Sequence, residues 1–567
     1  MKKQMGSSII ILIVSLVLAA CSAPAAPAAP AAEVEVTRIV EVTAEPVAAA
    51  VAAPTAEKAA AGPQPGGNLR IVVRGSEPKL LDAQVDPYDS AAMATAWVSD
   101  MLVAKDPSMK FVPFLATEWT NSPDGKTWTF KLRKDVKFHD DTKFNAEAVK
   151  FNFERILDPK TQSAQSAAML GPIDSMKVVD EFTFSITHKA PYPPFLDSLS
   201  EGFIAMWSPT AVKKFGPDEF QRHMVGSGPF KLVEYKPAEQ YVFERNPNYN
   251  WPPAFYKNQG PPYLFKVTLR WISEVGTAMN VFRAGEADVM IGFPPQNIPD
   301  YRINKDFTIV KASRVGSPVL FVMNTSKAPF DDLKVREAMQ HAMSGEQVVK
   351  VVLANEGGVA TRGVMYPGSP CYWPGAETLR PYDLTKAKAL LEEAGWKAGA
   401  DGLRAKGSQK LQVTLVNSFS TELGPIVQAQ LREAGVDAKI DQVPGPIQLE
   451  RAGTGDFNLI IQHMAYSDPG VLDMLYNSKN ERPGGWSWTR FKDAKLDAFL
   501  DEAQMTVDAT KRCELLTEAQ KIIAQNAIVL PLYAGYSIAV IPNNVKDIGF
   551  GPRPTMEFWL QDAYFEE

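Results

Sequence analysis

Histidines occur at positions 139, 188, 223, 341 and 463, far apart along 567 residues. Metal-assisted hydrolysis needs such ligands at short, fixed spacing, and the chain has no His-Glu-x-x-His and no Cys-x-x-Cys. His139-Asp140 could begin a metal phosphohydrolase site, but no second His-Asp pair accompanies it, so the pair reads as a polar turn. Gly226-Ser227-Gly228 could offer backbone N–H groups to a phosphate. Pro229 removes a donor, however, and Phe230, Leu232 and Tyr235 continue as a strand rather than a helix. There is no Gly-x-Ser-x-Gly elbow and no Gly-rich loop ending Gly-Lys-Ser/Thr. Met339 and Met343, one helical turn apart, read as core rather than as sulfur ligands. No catalytic residue, metal or cofactor is expected, and a secreted hydrolase of peptides or glycosides is the competing reading.

Of the three cysteines, Cys21 has a clear chemical context. Lys2 and Lys3 precede an apolar run from Ile9 to Ala20, well short of the ~20 residues of a membrane-spanning helix. The run ends Leu18-Ala19-Ala20-Cys21, similar to a bacterial lipobox, so residues 1–20 are read as a signal peptide and Cys21 as the lipidation site. Two or more acyl chains, at about 0.8 kcal/mol per buried methylene, would hold the mature protein at the membrane. An extracytoplasmic setting permits a disulfide between Cys371 and Cys513, but nothing in their separation argues for one, and two free thiols are expected.

The formal net charge of −6 and pI near 5.7 provide no basic stripe, which excludes nucleic acid as a partner. With 45% hydrophobic and 22% charged residues, the chain can bury a core large enough for roughly two to four domains. Residues 21–65 are rich in Ala, Pro, Val, Glu and Thr without bulky aromatics, which makes them a disordered linker.

Periodicity supplies the elements. Leu69, Ile71 and Val73 alternate as a strand. Ser122-Pro123-Asp124-Gly125 forms a tight turn, after which Trp128, Phe130 and Leu132 share one face of a hairpin. Asn145 can cap a helix whose Val149, Phe153, Ile156 and Leu157 share a face, and Asp158-Pro159 stops it. Phe182, Phe184 and Ile186 alternate again. Val267 to Trp271, Ala278 to Ala284 and Val289 to Ile291 read strand, helix, strand, which argues for an α/β sheet. Val319 to Asn324 is a buried-strand run, followed by a helix holding Val335, Met339, Ala342 and Met343, with Arg336 and Glu337 on other faces. Asp383 caps a further helix, Gly395 and Gly435 end helices, and Arg512 to Ile523 is amphipathic and leads into Val529 to Leu532.

The run from Pro113 to Pro159 resembles, residue by residue, the signature segment of the family 5 solute-binding proteins, the extracytoplasmic receptors of ABC importers for peptides, nickel and related solutes. Asp141 stands where that family usually has Gly, a change that a left-handed turn tolerates in Asp better than in most residues. Further matches, including Arg245-Asn246-Pro247-Asn248-Tyr249 and Gly285-Glu286-Ala287-Asp288, extend the resemblance from about Gly66 past Leu532.

This resemblance implies an α/β, two-lobed periplasmic-binding-protein-like fold (type II, cluster C) with an extra domain in the first lobe. Lobe I would comprise 66–108, 222–312 and 535–567, with the extra domain at 109–221 and lobe II at 313–534. Asp288 would be structural. Small-solute capture, delivery to a permease with its ATPase subunits, a lipid anchor and a monomeric state are implied, as against a sensing receptor without transport. Loops that face the ligand in relatives resemble those carrying Tyr88, Asp89, Tyr366, Trp373, Asn417, Ser418, Met464, Ala465, Tyr466, Asp468, Trp486 and Tyr536; Trp488 and Tyr533 lie near them. Ala465 stands where peptide-binding relatives commonly place an amine-binding Asp, and Asn417-Ser418-Phe419-Ser420 where dipeptide binders place an Arg. With both charge partners missing from those positions, free dipeptides are disfavoured unless other residues substitute. Oligosaccharide or modified peptide therefore ranks above nickel, for which no His cluster is visible.

Overall fold

A computed structural model describes residues 63–418, 421–482, 484–555 and 557–566. The expected signal peptide, Cys21 and all but the last three linker residues lie outside the described residues.

One sheet of twelve strands organises the fold. In its first half, Asn68–Val73 lies parallel to Lys266–Trp271 and to Val289–Ile291. Both faces are covered: Leu69 and Ile71 enter one apolar cluster, and Val72 joins Ala278, Phe282 and Met290 in another. This explains why these strands read as nearly continuous hydrophobic runs. Asp288 is structural as expected: Arg70 donates to it from its backbone nitrogen at 2.8 Å and from Nη2 at 2.5 Å.

The second half is built on Ser317–Met323, buried throughout, beside Leu459–Met464, Gln412–Asn417 and Asp437–Gln442. Val529–Pro542 belongs to both halves. Its first residues pair with Val319 to Val322, whereas Tyr536 to Pro542 pair with Phe307–Ser313. The chain therefore crosses between the halves twice, at Arg314-Val315-Gly316 and at Ala534-Gly535, and these crossovers are tied by Arg314 N–H donating to the Gly535 carbonyl at 3.3 Å.

A separate four-stranded antiparallel sheet, Ala116–Asn121, Thr127–Leu132, Thr183–His188 and Ile173–Asp180, carries the extra domain. The inward faces of Trp128, Phe130 and Phe184 meet Val149, Phe153 and Ile156 of the helix Ala146–Leu157. Asn145 caps that helix by accepting from Ala148 N at 3.0 Å. Leu157, expected on the buried face, is instead 37% exposed at the last position of the helix. Asp141 adopts φ +66°, the left-handed conformation the substitution requires. Gly226 and Gly228 are packing residues: a Cβ on either would lie 2.2 to 2.8 Å from the backbone at Val98 and Ser99.

Arg336 is buried, its guanidinium donating to the carbonyls of Phe330 at 2.7 Å and Asn526 at 2.9 Å. One further expectation is corrected. Cys371 and Cys513 are not free thiols but a disulfide, their Cα atoms 4.7 Å apart across 142 positions. The helix Ala509–Gln525 creates this proximity, its Gln520 donating to the Cys371 carbonyl at 2.7 Å and accepting from Trp373 N at 3.2 Å. Separation along the chain is silent about such packing.

Candidate functional site

The crossovers gather side chains from both halves. Gly316, at φ +98°, passes so close to the end of Leu459–Met464 that a Cβ there would sit 2.1 Å from the Met464 carbonyl oxygen and 2.6 Å from Tyr466 N. Tyr366 N–H donates to the Gly316 carbonyl at 3.0 Å, and its hydroxyl accepts from Gly535 N at 3.3 Å. Tyr536 pairs with Ser313 on the neighbouring strand. Tyr366, Met464, Ala465, Tyr466 and Tyr536 are thereby brought to the hinge.

Charged side chains from both halves act on one another at this place. The pKa of His463 is lowered to about 4, by desolvation first and then by the Arg314 charge. Asp89, the first residue of the helix Asp89–Val98, is half-buried; burial raises its pKa against the Thr555 hydroxyl and the charges of Arg314 and Arg553. Arg74, directly after Asn68–Val73, is lowered by burial and then by Arg314, with Glu422 opposing. Burial raises Tyr366, and Arg314 again opposes. Arg314, between two strands, thus acts on groups from both halves, while its own buried Nε has no hydrogen-bond partner.

Beside the hinge the halves touch directly. Ser467 Oγ lies 2.8 and 2.7 Å from the carboxylate oxygens of Asp197 and accepts from Lys105 Nζ at 3.0 Å. Lys105 also pairs with Asp197, and all three side chains are buried. The Tyr466 hydroxyl reaches Ser198, and burial raises its pKa well above the usual range.

Other expected residues lie elsewhere or are already engaged. Tyr88 is 60% exposed. Trp373 lines a separate cavity with Gln340, Arg362 and Arg380. Asp468 is held by Arg512 through two bonds of 2.6 and 2.7 Å. Trp486 stacks on Trp488 with centroids 5.3 Å apart, and Tyr533 is buried in the second-half core. Asn417 is buried at the end of its strand and Ser418 contacts Gln448. Arg74, Arg314, His463 and Thr555 escaped sequence reasoning. Arg314 had one available signal, its position immediately before the buried run that opens the second half.

Two α/β lobes joined by a pair of strand crossovers, with charged side chains of both gathered at the junction, are the architecture of a solute-binding protein. Residues 110–486 match the model described as bacterial extracellular solute-binding proteins, family 5. The chain belongs to this family, and its function is solute capture for delivery to an importer.

The chain is 29% identical over 492 residues to the glutathione-binding protein GsiB of Shigella flexneri, covering 84% of this chain and 92% of that protein. Among solved structures, it resembles the periplasmic binding protein DppA of Helicobacter pylori in complex with the peptide STSA, at TM-score 0.73 and 26% identity, over 89% of this chain and 99% of that one. NikA of Brucella suis in complex with Fe(III)-EDTA aligns at TM-score 0.76 and 25% identity, over 87% and 100% of the two chains. Among the described residues, no helix is long and apolar enough to cross a membrane.

Proposed function

We propose that the chain is a monomeric, lipid-anchored receptor that captures a peptide-like solute at the hinge without altering it. The lobes follow the sequence-based division: 66–108, 222–312 and 535–567 as lobe I, 109–221 as its extra domain, and 313–534 as lobe II. Cys21 carries the lipid, and a permease with its ATPase subunits receives the solute outside the cytoplasmic membrane.

The carrying observation is the pair of crossovers between the halves, tied by Arg314 N–H on the Gly535 carbonyl at 3.3 Å, to which Tyr366 and Tyr536 are brought. Ligand recognition at the crossovers favours closure only through contacts that differ between open and closed forms. A solute meeting Asp89 from one lobe and Tyr466 from the other meets that requirement. Oligosaccharide is the second reading, but Trp486 turns one face onto Trp488. A peptide-like solute better suits the charges.

A thermal-shift screen of the mature protein against tri- and tetrapeptides, glutathione, maltotriose and nickel-histidine tests this reading. Stabilisation by peptides or glutathione supports it, and stabilisation by maltotriose or nickel-histidine alone overturns the ligand class. Mass spectrometry of the mature amino terminus tests the anchor, which an unmodified Cys21 contradicts.

A further inference from the structure

A cavity of about 70 Å³ lies in the first half, walled by the segments 96–114, 229–256 and 557–561 with Ser200, and by no residue of the second half. A single water occupies roughly 10–15 Å³ on this measure, so the space suits a group of several heavy atoms. Its walls include the rings of Trp97, Phe230, Tyr249, Tyr256 and Trp559. Tyr256 lies 5.4 Å from Trp559, centroid to centroid, and both rings keep partial exposure, which gives the cavity a wetted edge.

The charges at these walls are unequal. Asp100 is 1% exposed and accepts from Ser227 Oγ at 2.8 Å, Trp251 Nε1 at 2.9 Å and the Tyr249 hydroxyl at 3.3 Å. It pairs with no cation among the described residues, although buried carboxylates ordinarily do. The cation whose charge it feels is Arg133, and Arg133 already holds Asp135 through bonds of 2.7 and 3.0 Å. The two cations nearer the cavity are engaged as well. Lys105 Nζ turns to Asp197 and to Ser467, and Arg553 is shared by Glu201 and Glu557. The Tyr256 hydroxyl makes no hydrogen bond among the described residues; burial, and then the charges of Glu557, Asp562 and Asp100, push its pKa up. Carboxylates thus outweigh cations around an aromatic space.

We infer that this cavity is a second binding site, separate from the hinge, for a small ammonium group bearing one to four methyl groups. The π faces of Trp and Tyr attract a cation, and more strongly when water is excluded. The unpaired carboxylate supplies the counter-charge. A neutral group of the same size would gain apolar burial alone, and an anion would meet the surplus of acid. Occupancy here does not require solute at the hinge, because no wall of the cavity comes from the second half.

The test is a ligand-observed NMR titration of the mature protein with tetramethylammonium, with tert-butanol as a neutral probe of similar shape, and with acetate. Tetramethylammonium should bind at least fivefold more tightly than either other probe. Trp559→Leu or Tyr256→Leu, each of which keeps an apolar wall but removes a π face, should weaken tetramethylammonium fivefold or more and leave tert-butanol unweakened. Circular dichroism identifies the folded variant to be used. Equal or tighter binding of tert-butanol or acetate overturns the ammonium site. So does undiminished tetramethylammonium binding in the folded variants, or no tetramethylammonium binding at all. Solute capture at the hinge stands in each of these cases, since it is read separately by thermal shift with peptides.

Discussion

Among single residues, stability depends on groups whose surroundings differ from water. Asp141 carries the left-handed turn at φ +66°. Asp141→Val should destabilise by about 1–2 kcal/mol, because a β-branched side chain clashes in that conformation, whereas Asp141→Gly should be neutral or mildly stabilising. Chemical denaturation of the pair checks this, and equal stability of the two variants contradicts it. His139 donates from Nε2 to the Gly228 carbonyl at 2.9 Å, while its buried Nδ1 has no partner. Burial lowers its pKa to about 4, below the ordinary ~6.5 of the unfolded chain. The unfolded state therefore binds more protons between these values, so stability falls as pH drops from about 6.5 towards 4. The contribution is roughly 1–2 kcal/mol between pH 7 and 5, and His139→Gln should flatten the pH dependence of denaturation by that amount. Asp100 works in the opposite sense: burial raises it to about 6, so its share of stability is present at low pH and is lost as pH rises through 6. Asp468→Ala would leave the buried Arg512 guanidinium without its carboxylate, at a cost of about 3–5 kcal/mol in the denaturation midpoint analysis. A change under about 1 kcal/mol would show that the pair contributes little.

At the scale of elements, local rules were legible and long-range ones were not. Asn145, Asp383 and the Trp128, Phe130, Leu132 alternation were readable because caps and pleats are set by residues a few positions apart. The resemblance identified the two-lobed arrangement. The junction was less accessible: Asp89, Met464, Ala465 and Tyr466 were expected there from the resemblance, whereas Arg314 acts on Asp89 and His463 only through tertiary packing. The disulfide is the sharpest case. Closing a loop of 142 positions constrains the unfolded chain and contributes about 2–4 kcal/mol. Scanning calorimetry with and without dithiothreitol should show a lower melting temperature on reduction, and a Cys371→Ser/Cys513→Ser variant should be insensitive to the reductant. An unchanged melting temperature contradicts a stabilising bridge.

For the whole molecule, two crossovers join two lobes, and direct interlobe contact is provided by Ser467 on Asp197 and Lys105. These contacts and a solute at the hinge favour the same closed arrangement, so Ser467→Ala should weaken closure without removing any group from the hinge. The capture account is tested most directly by small-angle scattering of the mature protein, alone and saturated with a peptide-like solute found by thermal shift. It predicts a larger radius of gyration without solute and a smaller one at saturation, with Ser467→Ala needing more solute to reach the smaller value. An identical radius of gyration with and without saturating solute would contradict the claim that the lobes close on what they capture.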